Sequence, residues 1–343
     1  MHEFIILDIS ALTRLFGLTA LSFLLAFLWT PILTNFLYKF HLRKRIRQGQ
    51  TPIYTRLHAP KANTPTMGGL LVWVTVAVVT LLFNLSRTQT WLPLFALVAT
   101  GLLGAIDDIL NIKGLGLEGG GLRGRHKLLI QLGIAGIGAW WFADKLEWLH
   151  RAIHIPGVGD FSLGFWFILL FILVIVATTN AVNISDGLDG LAGGLLAMAY
   201  MAYGGIAFVQ SQFGLAVFCG CIAGALLAFL WFNIYPARFF MGDTGSMALG
   251  ATLGVVAMLT NQALVLPIIG FVFVLETLSV ILQIFWRKFF KKKLFLSTPL
   301  HHHLEALGWA ETKVTMRLWV IGAVFAIIGL VIALIGRLSL IHI

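Results

Sequence analysis

Five aspartates, Asp107, Asp108, Asp186, Asp189 and Asp243, stand at the ends of long apolar runs in a chain with only 14 acidic residues. Three stretches supply them: Gly104-Ala-Ile-Asp-Asp-Ile-Leu, Asn180-Ala-Val-Asn-Ile-Ser-Asp-Gly-Leu-Asp-Gly and Phe240-Met-Gly-Asp-Thr-Gly-Ser. Asp107 and Asp108 close a run that reads as a helix, where carboxylates meet the negative end of the helix dipole and repel each other. A bound cation offsets both penalties. Hard oxygen donors near phosphates suit Mg2+, which keeps waters and takes one or two carboxylates; the plainer reading is a solvated helix end. In the second stretch Asn180, Asn183, Asp186 and Asp189 recur at intervals of three, which keeps neighbours close on a helix. Amides there bind ribose, uracil or sugar groups without adding charge, and the acids order them or a metal. Without a ligand it is an Asx-rich turn. Asp243 to Ser246 open a further run, at a helix start that either binds an anion or is capped by Asp243.

Two more stretches carry polar chemistry. Pro299-Leu-His-His-His-Leu-Glu follows the basic run Lys291–Lys293. Successive helical residues step about 100° apart, so one or two of His301, His302 and His303 face any one site. The usual zinc spacings are absent, whereas imidazoles bind or protonate phosphate oxygens near neutral pH. Lys61 precedes Asn63-Thr-Pro-Thr-Met-Gly-Gly. It is a point charge suited to phosphate, and Thr66 either caps the next helix or touches the ligand. Glu276 lies in mid-run, in Val272-Phe-Val-Leu-Glu-Thr-Leu. An exposed carboxylate is costly there, so it faces protein or a wet groove.

The elements that position these residues belong to a membrane. The chain is 59% hydrophobic and 11% charged, with a mean hydropathy of +0.93. Soluble domains are about 45–50% apolar and about 25% charged, so neither an ordinary soluble enzyme nor a soluble domain on one anchor fits. Runs approaching the roughly 20 residues a span needs lie near 15–38, 67–85, 91–110, 128–143, 163–182, 191–209, 213–232, 245–260, 263–286 and 316–337. Pro31 is expected to kink the first. Of the 24 Lys and Arg, nineteen fall in one set of loops, including Arg43–Arg47 and Arg287–Lys293, and five in the other. The positive-inside rule then puts the richer set in the cytoplasm. The +10 net charge therefore speaks for topology and anionic lipid rather than nucleic acid. Cys219 and Cys221 sit inside an apolar run and read as packing, with no disulfide or cysteine metal site. No linker or repeat divides the chain. The expectation is an all-α polytopic membrane protein with about ten transmembrane helices, a single domain over 1–343, both termini periplasmic and all five aspartates at the cytoplasmic side.

Taken in order, residues 63–69, Asp107-Asp108, 180–190, 240–246 and 299–305 resemble the phospho-N-acetylmuramoyl-pentapeptide transferases over essentially the whole chain. These are a branch of the polyprenyl-phosphate N-acetylhexosamine-1-phosphate transferases. The aspartate motifs mark the wider family, while the triple histidine with Thr-Pro-Thr-Met-Gly-Gly favours the muramoyl branch. Asn63 departs from the glycine more usual there. The resemblance implies that UDP-N-acetylmuramoyl-pentapeptide and undecaprenyl phosphate give lipid I and UMP, with Mg2+ as cofactor. It implies Asp243 as principal Mg2+ ligand with Asp108 nearby, and Asp107 as the group that deprotonates or orients the lipid phosphate. Asn180, Asn183, Asp186 and Asn233 are expected at the nucleotide or diphosphate, with Asp189 supporting that face. Lys61, Thr66, His301 and His302 are expected on phosphate or sugar, and His303 as an orienter of its loop. It further implies a homodimer in the bacterial inner membrane, with its site on the cytoplasmic face, and a target of nucleoside antibiotics and of a phage lysis protein. One phosphoanhydride replaces another, so no ATP site is needed, and no Walker-type loop is present. Rival readings are a sister transferase moving N-acetylglucosamine-1-phosphate, a secondary transporter and a zinc hydrolase built on the histidines. A transporter places ionisable groups near the midplane, where only Glu276 lies.

Overall fold

Inside lipid the backbone must satisfy its own polar groups, so long apolar runs become helices. The computed structural model describes residues 9–43, 61, 63–115, 120–146 and 152–341. Its helices are α1 (Ile9–Lys39), α2 (Leu70–Phe83), α3 (Trp91–Lys113), α4 (Gly124–Trp140), α5 (Trp166–Ser185), α6 (Leu191–Val209), α7 (Phe213–Asn233), α8 (Gly242–Leu259), α9 (Phe271–Phe290), α10 (Leu300–Ala306) and α11 (Glu311–Ile341). Nine of the ten apolar runs each coincide with one of these, and α10 carries the histidines. Among the described residues seven helices are long and apolar enough to cross a membrane: α1, α3, α5, α6, α7, α8 and α11. The others fall short for evident reasons. α2 and α4 have 14 and 17 residues, and α9 carries Glu276, Arg287 and Lys288. The chain is an all-α, multi-pass membrane protein. Lys44, Arg45, Arg47, Arg56 and Arg151, counted above for topology, lie outside the described residues.

Three details differ from a plain reading of the runs. α1 continues through Pro31. The run at 263–286 divides into a single turn, Leu266–Ile269, and α9, separated by Gly270. An antiparallel hairpin, β1 (Ala152–Ile155) and β2 (Gly159–Ser162), joins α4 to α5. Its four-residue strands carry no long periodicity, and only Pro156-Gly157-Val158-Gly159 marks the turn, with Gly157 at φ 78.

α8 is the hub, and every one of its residues is buried. Lipid offers no hydrophobic drive between helices, so association rests on close backbone packing through small residues. Gly104 of α3 lies so near α8 that an added Cβ would sit 2.2 Å from the Asp243 carbonyl oxygen. On another side Gly250 admits the backbone of α5, at 2.8 Å from the Thr178 carbonyl oxygen by the same measure. Cys219 and Cys221 are buried within α7, where the Cys221 thiol donates to the Leu18 carbonyl at 3.7 Å. Outward positions such as Leu28, Ile32, Ile284, Phe289, Ile327 and Ile335 carry exposed apolar side chains, as a lipid-facing surface requires.

The Gly104 contact makes a direct prediction. Gly104→Val overpacks the α3–α8 seam, a class of change that typically costs about 1–3 kcal/mol, and should lower the thermal midpoint of the detergent-solubilised protein. Gly17→Ala, where an added Cβ meets nothing within 4 Å, should leave the midpoint unchanged.

Candidate active site

Close packing of α3 on α8 brings the first acidic stretch onto the third. Asp107 Oδ1 accepts the Leu122 amide at 2.6 Å, and its Oδ2 accepts Lys127 Nζ at 2.7 Å. The same ammonium donates to Asp243 Oδ2 at 2.6 Å. Two like charges from different helices are therefore held together by one cation in the first turn of α4. Asp108 turns to α8 instead. Its Oδ2 accepts the Thr244 amide at 3.0 Å, satisfying one of the amides a helix start leaves without an intrahelical partner. Thr244 Oγ1 donates to the Gly101 carbonyl and accepts from Trp73 Nε1, so the seam is pinned on both sides of the carboxylates.

The Asn63–Gly69 segment closes this cluster. Phe240 donates to the Pro65 carbonyl, while Gly68 and Gly69 donate to the carbonyls of Phe240 and Met241, all at 2.8 Å. Gly69, not Thr66, occupies the cap position of α2. Thr66 Oγ1 is buried and has no hydrogen-bond partner among the described residues. It points to Gly242, whose φ of +74 and tight surroundings leave no room for a side chain: an added Cβ would lie 2.6 Å from Thr66 Oγ1 and 2.7 Å from Asp108 Oδ2. Asn63 has its own use here, accepting Arg43 Nη1 on its side-chain oxygen at 2.9 Å.

A second polar cluster forms around the turn between α5 and α6. Lys61 Nζ donates to Asp189 Oδ1 at 2.7 Å and to Glu311 Oε1 at the start of α11. Glu311 Oε1 also accepts the Asp189 amide, and Asp189 Oδ2 accepts the Ala237 amide. Asn233 uses both ends of its amide, accepting from the Gly190 amide at 3.0 Å and donating to the Phe239 carbonyl at 2.8 Å. Asp186 caps the C-terminus of α5. Asn183 links the two clusters by donating to Ser246 Oγ in α8 at 2.9 Å. Asn180 lies about one turn before Asn183 and donates to Gln131 of α4 at 2.9 Å.

The histidines form the third side. His301 and Glu276 are both fully enclosed. Glu276 Oε2 meets the His301 Nδ1 at 3.0 Å and accepts the His301 amide at 3.3 Å. Glu276 thus faces protein and holds the histidine helix. The His301 ring lies on the turn at Gly187, where a Cβ would be 2.2 Å from Nε2. His302 Nδ1 meets Glu305 Oε2 at 2.8 Å. Burial holds its imidazole below the usual histidine range, against the opposing pull of that hydrogen bond. His303 turns to its own loop, where Nδ1 accepts the Leu296 amide at 3.3 Å and the ring lies edge-on to Phe295.

Among the described residues no three His, Cys, Asp or Glu side chains converge to hold a metal unaided. The donor set still suits Mg2+. That ion takes one or two carboxylates and completes its shell with water and substrate oxygens, and Asp243, Asp108 and the Thr66 hydroxyl are hard oxygen donors gathered around Gly242. Asp107, Asp108, Asp243 and Thr66 therefore form one group, and Lys61, Asp189 and Asn233 another. His301 packs on the turn that joins them. Lys127 and Glu311 were not singled out from sequence. Each looked like an ordinary charge beside an apolar run, and only tertiary contact reveals its partners.

The chain matches a family model described as glycosyl transferase family 4 over residues 90–261. It is 42% identical over 317 residues to the phospho-N-acetylmuramoyl-pentapeptide-transferase of Geobacillus sp. (strain WCH70), covering 91% of this chain and 95% of that protein. Proteins of the same name in Chloroflexus aurantiacus and Bacillus anthracis are 42% and 41% identical over 322 and 316 residues, covering 90% and 91% of this chain and 88% and 95% of theirs. With its aspartates, lysines and histidines gathered at adjoining helix ends, the chain belongs to the phospho-N-acetylmuramoyl-pentapeptide transferases of glycosyl transferase family 4.

Proposed function

We propose that this protein transfers phospho-N-acetylmuramoyl-pentapeptide from its UDP conjugate to undecaprenyl phosphate, giving lipid I and UMP, at the cytoplasmic face of the bacterial inner membrane. The observation that carries the reading is the convergence of Asp107, Asp243 and Lys127 from three helices at the edge of an apolar bundle. A nucleotide substrate arrives from water and a prenyl phosphate from lipid, and such an edge is where both can meet. The outward face of α9, with Leu278, Ile281, Leu282 and Phe285 exposed, offers the prenyl chain an apolar surface.

In this account a lipid phosphate oxygen attacks the sugar-linked phosphorus. The new P–O bond forms as the bond to UMP breaks, and UMP leaves with the electron pair. Asp107, held by the Leu122 amide and Lys127, orients the lipid phosphate or takes its proton. Asp243 and Asp108 would hold Mg2+, which would supply neutralisation of charge on the diphosphate and on departing UMP. Asn183, Asp186 and the turn fixed by Lys61, Asp189, Asn233 and Glu311 receive the nucleotide. Asn180, on the Gln131 side of α5, supports that face. Thr66 donates its unpartnered hydroxyl to phosphate. His302 stays a neutral imidazole able to exchange a proton with phosphate oxygens, while His301 and His303 fix its helix. Direct attack is preferred to an aspartyl-phosphate intermediate, since it asks for one base rather than a nucleophile and a base.

Membranes bearing the protein should release UMP from UDP-N-acetylmuramoyl-pentapeptide and undecaprenyl phosphate. Release from UDP-N-acetylglucosamine instead would assign the sister reaction. Asp243→Asn and Asp107→Asn should each abolish UMP release while the protein still purifies folded in detergent, and wild-type turnover by either would sink the site assignment. EDTA should stop turnover and added Mg2+ restore it, whereas a zinc-selective chelator should have no effect.

His302 adds a pH dependence. Its folded state takes up a proton less readily than the unfolded chain, so its contribution to stability is fully present above the ordinary histidine value, about 6.5, and declines as pH falls below it. The thermal midpoint should drop between pH 7.5 and 5.5, and His302→Gln should flatten that drop. An equal slope in the variant would remove His302 from the account.

A further inference from the structure

Lys127 has a position that its own helix does not explain. It lies in the first turn of α4, where the positive end of the helix dipole disfavours a cation. What holds it there are the two carboxylates, Asp107 at 2.7 Å and Asp243 at 2.6 Å, contributed by α3 and α8. All three side chains are largely withdrawn from solvent, at 19% exposure for Lys127 and about half that for each acid. Two of the three ammonium donors are spent on these acids. No other charged side chain among the described residues is paired with Lys127.

We infer that Lys127 is an internal counter-ion that keeps the Asp243 carboxylate in place when no metal is bound and competes with Mg2+ for it. The inference rests on the Mg2+ reading above. An ammonium and a divalent cation on the same carboxylate repel each other strongly at contact distance. Binding of the ion therefore obliges Lys127 to leave Asp243 while keeping Asp107. The donor so released is free to pair with an anionic phosphate oxygen of the substrate. The exchange explains how two acids on neighbouring helices stay close without metal. Lys127 is on this account a positioning residue for Asp107 and Asp243.

The test is Mg2+ titration of the full-length protein in detergent at pH 8, read as the thermal midpoint without any turnover. Wild type should show a saturable rise. Lys127→Met should start from a lower midpoint, because the two acids are no longer compensated, and should respond at about tenfold lower Mg2+, the factor that about 1.4 kcal/mol of relieved competition gives. Lys127→Gln, which keeps a hydrogen-bond donor without charge, should follow Lys127→Met, and Lys127→Arg should stay close to wild type. A saturable wild-type response with an unchanged or weaker response in both neutral variants would overturn the counter-ion role and leave the metal reading intact. Absence of any Mg2+ response in wild type, matched by Asp243→Asn, would overturn both.

Discussion

A charge that cannot reach bulk water must find its partner inside the protein, because an isolated ion in a low-dielectric interior is far too costly to keep. Two such compensations and one buried hydrogen bond organise this molecule. Lys127 joins Asp107 to Asp243, Lys61 joins Asp189 to Glu311, and Glu276 holds His301. Each pairing joins separate elements. The first ties α3, α4 and α8, the second ties the segment before α2 to the α5–α6 turn and α11, and the third ties α9 to α10. Removing one partner would leave the other buried and unpaired, which costs more than the pair gains. The same contacts thus hold helix ends together and hold reactive groups in place.

These pairings depend on how closely the helices approach. α8 is buried on all sides, and the glycines where α3 and α5 cross it let backbones touch. A bundle kept apart by larger side chains would leave Asp107 and Asp243 beyond the reach of one lysine. Packing with small residues, the usual device for helix association in lipid, here also sets the spacing of the chemistry. Gly187 and Gly242 serve it locally. One makes room for the His301 ring, and the other for Thr66 and Asp108.

Much of this was legible in the residues. A carboxylate at the edge of an apolar run stands out because so few charges are present, so Asp107, Asp108, Asp186, Asp189 and Asp243 could be picked individually. The apolar runs foretold the long helices for the same reason: lipid leaves the backbone no other choice. The short hairpin at 152–162 escaped because four-residue strands carry too little pattern. Lys127 and Glu311 escaped for a different reason. A basic residue in a loop and an acid at a helix start are ordinary topology and dipole choices, and nothing local distinguishes those that reach across the fold. Glu276 was visible as an anomaly, but its partner His301, 25 positions away, was not. Asn233 was expected at the nucleotide; its amide bonds to the backbone at Gly190 and Phe239, a tertiary role that its place at a helix end does not reveal.

The central claim is that the carboxylates at the α3–α8 seam, rather than the histidine helix, form the metal and phosphate centre. Crystals grown with Mn2+ and the UDP-linked substrate, measured at the manganese absorption edge, test it most directly. The account predicts one anomalous peak against Asp243 and Asp108, with the diphosphate beside it and Lys127 moved off Asp243. A peak against His301, His302 or His303 with the aspartates still bridged by Lys127 would contradict it.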